Sequence, residues 1–119
     1  MLNFEKLDTW QHAMKVADTV YSVTRAFPDA ERFGLTSQMR RAAVSIASNI
    51  AEGNSRTSHP EQARYLEIAG GSVYELVTQA NIALRQGFLT QSEYALLYEC
   101  SEKQCRMLSG LRRSLLTRH

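Results

Sequence analysis

The stretch Thr36-Ser37-Gln38-Met39-Arg40-Arg41-Ala42-Ala43-Val44-Ser45-Ile46-Ala47-Ser48-Asn49-Ile50-Ala51-Glu52-Gly53 decides the fold. At about 100° per residue, Leu35, Met39, Ala42, Ala43, Ile46, Ala47 and Ile50 fill a broad apolar arc, which Val44 and Ala51 extend. Arg41, Ser45, Ser48, Asn49 and Glu52 form one narrow polar stripe. Thr36 or Ser37 is the expected N-cap and Gly53 the expected left-handed residue after the end, so this helix is predicted over 37–52. A helix apolar over most of its circumference is covered by its own bundle, by another subunit, or by both.

Working outward, the series Leu7, Trp10, Met14, Ala17, Val20 or Tyr21, Thr24 and Phe27 steps by three and four. It predicts a first helix over 8–27, opened by Asp8 and Gln11 as a capping box and stopped by Pro28. The segment from Pro28 to Gly34 reads as a structured connection with one helical turn. After the polar loop Asn54-Ser55-Arg56-Thr57, Ser58 and Glu61 around Pro60 open a third helix that runs to about 86, with Gly87 ending it. Gly70-Gly71 inside that helix costs roughly 1 kcal/mol per residue relative to alanine, which predicts a close backbone approach to Ala42, Ala43 and Ala47. Thr90 and Glu93 form a further capping box, opening a fourth helix to about 116. The expected fold is all-α: one antiparallel up-and-down four-helix bundle over residues 1–119, oligomeric because of the wide apolar arc of the second helix.

The chain has 119 residues, 44% apolar and 22% charged, which suits a single globular domain with its own core. No membrane-spanning apolar run and no signal-peptide core are present, so a cytoplasmic location is expected and no membrane partner. The formal charge of +2 is too small to indicate nucleic-acid binding by itself. From Lys103 onward, however, Lys103, Arg106, Arg112, Arg113 and Arg118 meet no Asp or Glu. Two readings of that cationic end stay open: compensation of the helix macrodipole, and contact with phosphate. Eleven of the fourteen basic residues are Arg, which suits forked contacts with carboxylate or phosphate.

Catalytic constellations are missing. His12, His59 and His119 are scattered and lack a second ligand one turn away, so no metal is expected. Cys100 and Cys105 lie about 140° apart in helical projection and read as two reduced, packed thiols. Glu99 and Glu102 are a solvated pair, and no phosphate loop or nucleophile elbow can be read. No cofactor, small-molecule substrate or enzymatic activity is therefore expected. The polar stripe is either a partner site or an internal hydrogen-bond network. Buried charge without a partner is expensive, so Arg41 should find a carboxylate, and Glu75 is the expected partner.

These residues resemble a known family. Phe27-Pro28, Glu31-Arg32-Phe33-Gly34-Leu35, the runs Ser37 to Ile46 and Ser48 to Gly53, Arg56, and Ala69-Gly70-Gly71-Ser72 with Glu75-Leu76 are similar to the four-helix-bundle proteins related to those encoded in 23S rRNA intervening sequences. Ala47 departs from the pattern, standing where many members carry proline, and should leave the second helix straighter. The resemblance implies a left-handed up-and-down bundle that assembles with itself as a ring of five, and it implies no reaction. Related bundles serve diversity-generating retroelements, where a basic pentamer binds a reverse transcriptase, so RNA or a nucleoprotein is the alternative partner. Arg40, Arg41, Arg56, Arg112 and Arg113 are the residues expected to meet a partner, with Arg41, Ser45, Ser48, Asn49, Glu52 and Glu75 as the structural polar stripe.

Overall fold

The computed structural model describes residues 1–117. Arg118 and His119, which belong to the expected cationic end and histidine set, lie outside the described residues. Among those described, the chain forms four α-helices and no strand: α1 (Asp8–Thr24), α2 (Leu35–Asn54), α3 (His59–Arg85) and α4 (Gln91–Leu116). Short 3₁₀ turns cover Asn3–Lys6 and Asp29–Glu31.

The ends of the helices follow from local chemistry. Ser58 accepts a hydrogen bond from the Glu61 amide at 3.2 Å, and Pro60 sits in the first turn, where its missing N–H costs nothing. Thr90 accepts from the Glu93 amide at 3.1 Å while the Glu93 carboxylate accepts from the Thr90 amide at 2.9 Å, so the expected box opens α4. Gly87 has φ +80°, the left-handed conformation that ends α3.

Three local expectations are corrected. The box at Asp8 does not form, because the Gln11 amide instead donates to the Glu5 carbonyl at 2.9 Å and ties α1 to the N-terminal turn. α1 stops at Thr24, short of Phe27, whose buried ring packs against Phe88 at 5.8 Å. α2 starts at Leu35 without a hydroxyl cap, its first amide donating to the Glu31 carboxylate at 3.1 Å, and it continues through Ala47 and Gly53 to Asn54.

Gly53 is thus an interior residue of α2, and its role is steric. A Cβ there would lie 2.7 Å from the Tyr65 Cβ and 3.2 Å from the Gln62 carbonyl oxygen, so this is where the α2 and α3 backbones approach closely. Gly70 and Gly71 have nothing within 4 Å of an added Cβ, which overturns the expected close contact there.

Each helix packs on its two neighbours around the bundle: α1 on α2 and α4, α3 on α2 and α4. The result is a square antiparallel bundle 49 Å long and about 21 Å across. Met39, Ile46, Ile50, Leu76 and Leu97 are completely enclosed, each contributing roughly 1.5–3 kcal/mol through burial. Small residues let α2 and α3 nest, notably Ala42, Ala43 and Ala47 against the helix carrying Ala69, Ala80 and Ala83. The apolar arc of α2 is buried by its own bundle at Met39, Ala42, Ala43, Ile46, Ala47 and Ile50, half-buried at Leu35 and Ala51 and exposed at Val44, so a single copy hides most of what the sequence led us to assign to a second one.

Candidate interaction surface

The polar stripe of α2 runs along its seam with α3 and is largely spent on internal bonds. The Ser45 and Ser72 hydroxyls meet at 2.9 Å across the seam. The Asn49 amide donates to the Ser45 carbonyl at 2.8 Å and to its hydroxyl at 3.0 Å. Glu52 pairs with Arg56 at 2.8 Å one turn later, whereas Ser48 is exposed. Arg41 and Glu75 are both exposed and make no ion pair with each other. The expected pairing fails for a physical reason: a solvated guanidinium has no desolvation cost for a carboxylate to offset.

The five arginines expected to meet a partner divide between the two ends of the bundle. Arg56 lies over the Tyr65 ring at 4.9 Å and donates to its hydroxyl at 2.7 Å, as well as to Glu52. Proximity to Tyr65 raises the guanidinium from its ordinary value and burial opposes the rise, with Glu52 adding to it. Arg112 donates to Glu67 across the α3–α4 groove at 3.4 Å. Arg113 is exposed in the last turn of α4, with no ion pair among the described residues.

At the opposite end, Arg40 and Arg41 are brought together with Tyr21 and Thr24 of α1 and with Arg32 and Phe33 of the connection before α2. The Arg40 side chain turns toward α1, donating from Nε to the Thr24 hydroxyl at 2.9 Å with its guanidinium 4.6 Å from the centre of the Tyr21 ring. Before α2, Arg32 lies 5.4 Å from the ring of Phe33, which is 87% exposed. Arg32, Phe33, Arg40 and Arg41, with Tyr21 and Ser37, line an open cleft of about 610 Å³, whose walls contain no acidic side chain. The signal that could have found Phe33 is its place in the connection between two helices, outside any apolar period that would bury it.

A second concavity lies on the α3–α4 side. Gly70 and Gly71 leave a groove of about 410 Å³ beside Tyr74, which stands 73% exposed, and a further hollow of about 590 Å³ continues past Tyr74 to Tyr98. The missing side chains at Gly70-Gly71 therefore open a surface instead of closing a helix crossing. Cys105 forms part of both walls, and burial pushes its thiol and that of Cys100 up from their ordinary range, which leaves them protonated and poorly nucleophilic near neutral pH. His12 Nε2 lies 2.9 Å from the Cys100 carbonyl oxygen, a link between α1 and α4. No group of three or more His, Cys, Asp or Glu among the described residues could hold a metal ion, and no helix among them is long and apolar enough to cross a membrane.

With this geometry in hand, comparison with known proteins places the chain. It belongs to the 23S rRNA-intervening sequence protein family, whose model matches residues 5–110. The crystal structure of a protein of unknown function from the S23 ribosomal protein family of Bacteroides thetaiotaomicron superposes with a TM-score of 0.78 at 19% identity, covering 87% of this chain and 97% of that one. At that identity the likeness is one of fold. No curated protein matches the chain.

Proposed function

We propose that this member of the 23S rRNA-intervening sequence protein family is a non-enzymatic bundle that assembles with copies of itself and acts as a scaffold for another macromolecule. The observation that carries the reading is the α3–α4 side: Tyr74 at 73% exposure beside the Gly70-Gly71 groove, with Tyr98 at 44% across the adjoining hollow. Large aromatic side chains standing beside an open groove supply the anchor and socket of protein interfaces. Light scattering on purified protein at micromolar concentration tests it. The expected mass is a multiple of 13.5 kDa, a ring of five being the number the resemblance suggests, and Tyr74→Ser should lower it. A stable mass of 13.5 kDa for the unaltered chain overturns the reading.

The second reading, an RNA or nucleoprotein binder acting through basic patches, is favoured by one observation. Among the described residues, Arg41 and Arg113 are exposed without ion pairs, and Arg40 is held by the neutral Thr24 and Tyr21. Such guanidiniums keep their full charge for phosphate. RNA affinity that falls steeply with added salt supports this reading. Undetectable binding at low salt removes it.

A further inference from the structure

We infer that the cleft between α1 and the start of α2 is a seat for single-stranded RNA, with Phe33 as the stacking platform for an unpaired base and Arg32, Arg40 and Arg41 as phosphate contacts. The inference rests on the RNA-binding reading and locates it. Three guanidiniums line the cleft and no carboxylate does, so its occupant is an anion. That local charge matters because the chain as a whole carries only +2 and offers little long-range attraction.

The ring narrows the choice of anion. Phe33 is 87% exposed, and Arg32 already lies 5.4 Å from its centre, so a flat cationic and aromatic surface faces solvent at the rim. Arg40 is fixed by its 2.9 Å bond to Thr24 and its place 4.6 Å from the Tyr21 ring, which holds its charge in the cleft wall before any ligand arrives. A polyanion that also presents flat rings at short intervals matches both features, and unpaired nucleotides are that chemistry. A duplex buries its base faces in its own stack, so Phe33 would gain nothing from it. The half-buried Ser37 hydroxyl in the same wall, free of side-chain hydrogen bonds among the described residues, is suited to a 2′-hydroxyl, which distinguishes RNA from DNA.

Fluorescence anisotropy with a labelled single-stranded RNA of about 12 nucleotides tests the seat, against a duplex RNA and a single-stranded DNA of the same sequence. The unaltered protein should bind the single-stranded RNA best. Phe33→Ala should weaken it about tenfold, and Phe33→Tyr should restore it. Arg41→Gln should weaken it and reduce the slope of log affinity against log salt by about 0.7, while Arg64→Gln, exposed near the start of α3 toward the other end of the bundle, should leave it unchanged. Phe33 and Arg41 are exposed, so both variants should keep the helical content and melting temperature of the parent. Equal or tighter binding of duplex or DNA overturns the inference but leaves the RNA reading standing, as does loss on Arg64→Gln in place of Arg41→Gln. A drop in oligomeric mass on Phe33→Ala assigns the cleft to contact between copies and overturns the inference too. Absence of binding to every nucleic acid removes both the seat and the reading beneath it.

Discussion

Gly53 of α2 and Tyr65 of α3 meet so closely that a single methyl group on the glycine would stand 2.7 Å from the tyrosine Cβ. Backbone and Cβ atoms cannot swing aside as the tip of a flexible side chain can, so the two helices would have to separate. Gly53→Ala should therefore destabilise the protein by about 1–3 kcal/mol, although alanine is intrinsically the better helix former by about 1 kcal/mol. Urea denaturation followed by circular dichroism measures this. An unchanged or raised midpoint would show that the crossing is looser than the geometry says.

The opposite sign is expected one helix along. An added Cβ at Gly70 or Gly71 meets nothing within 4 Å, and neither residue has positive φ. Gly70→Ala and Gly71→Ala should each raise stability by about 0.5–1 kcal/mol by the helix propensity difference alone. If the groove they leave open receives a second copy, the same substitutions lower the oligomeric mass while raising the denaturation midpoint of the separated chains. A loss of stability in the dissociated protein would contradict the open geometry.

These glycines mark the boundary of what the sequence made legible. The starts of α3 and α4 could be read because Ser58 with Glu61 and Thr90 with Glu93 act over three residues, and the structure keeps those bonds. The core face of α2 could be read for the same reason of periodicity. A glycine near the end of an apolar period carries the same local signature whether it terminates the helix or admits a neighbour. What distinguishes the two is Tyr65, on another helix. Periodicity likewise placed Arg41 on the polar edge of α2 without fixing its depth, and depth decides whether it needs Glu75. Phe33 belongs to no period, which marks it as unburied, but which groups surround its ring depends on the shape of the connection.

Gln104 offers a test of the core. It is completely buried on α4, its Nε2 donating to the Thr9 carbonyl at 3.1 Å while Oε1 has no hydrogen-bond partner. An unsatisfied buried acceptor costs about 1–3 kcal/mol, and one bond to a carbonyl returns about 0.5–1.5. Gln104→Met keeps the volume and removes the orphaned oxygen, so its stability should match or exceed the parent by up to about 1 kcal/mol. Gln104→Ala leaves a cavity and should lose about 2–4 kcal/mol. A methionine variant as unstable as the alanine one would show that the link to Thr9 outweighs the orphan.

The two cysteines predict how stability varies at alkaline pH. Burial raises both thiols in the folded chain, Cys100 within the core contacts of α4 and Cys105 beside the α3–α4 grooves. Below the unfolded-state value, about 8.5, both states keep their thiol protons and the thiols contribute no pH dependence. As pH rises through that value the unfolded chain releases protons that the folded chain still holds. Unfolding is then favoured, and stability falls until the folded thiols ionise as well. Melting temperatures between about pH 7 and 10 should therefore decline less steeply in Cys100→Ala/Cys105→Ala than in the parent, whatever constant offset the lost sulfur atoms impose. Every other ionisable side chain is common to both proteins and cancels in the comparison. Parallel curves would mean that the folded environment leaves the thiols as easy to ionise as solvent does, and that Cys105 reaches water through the groove it lines.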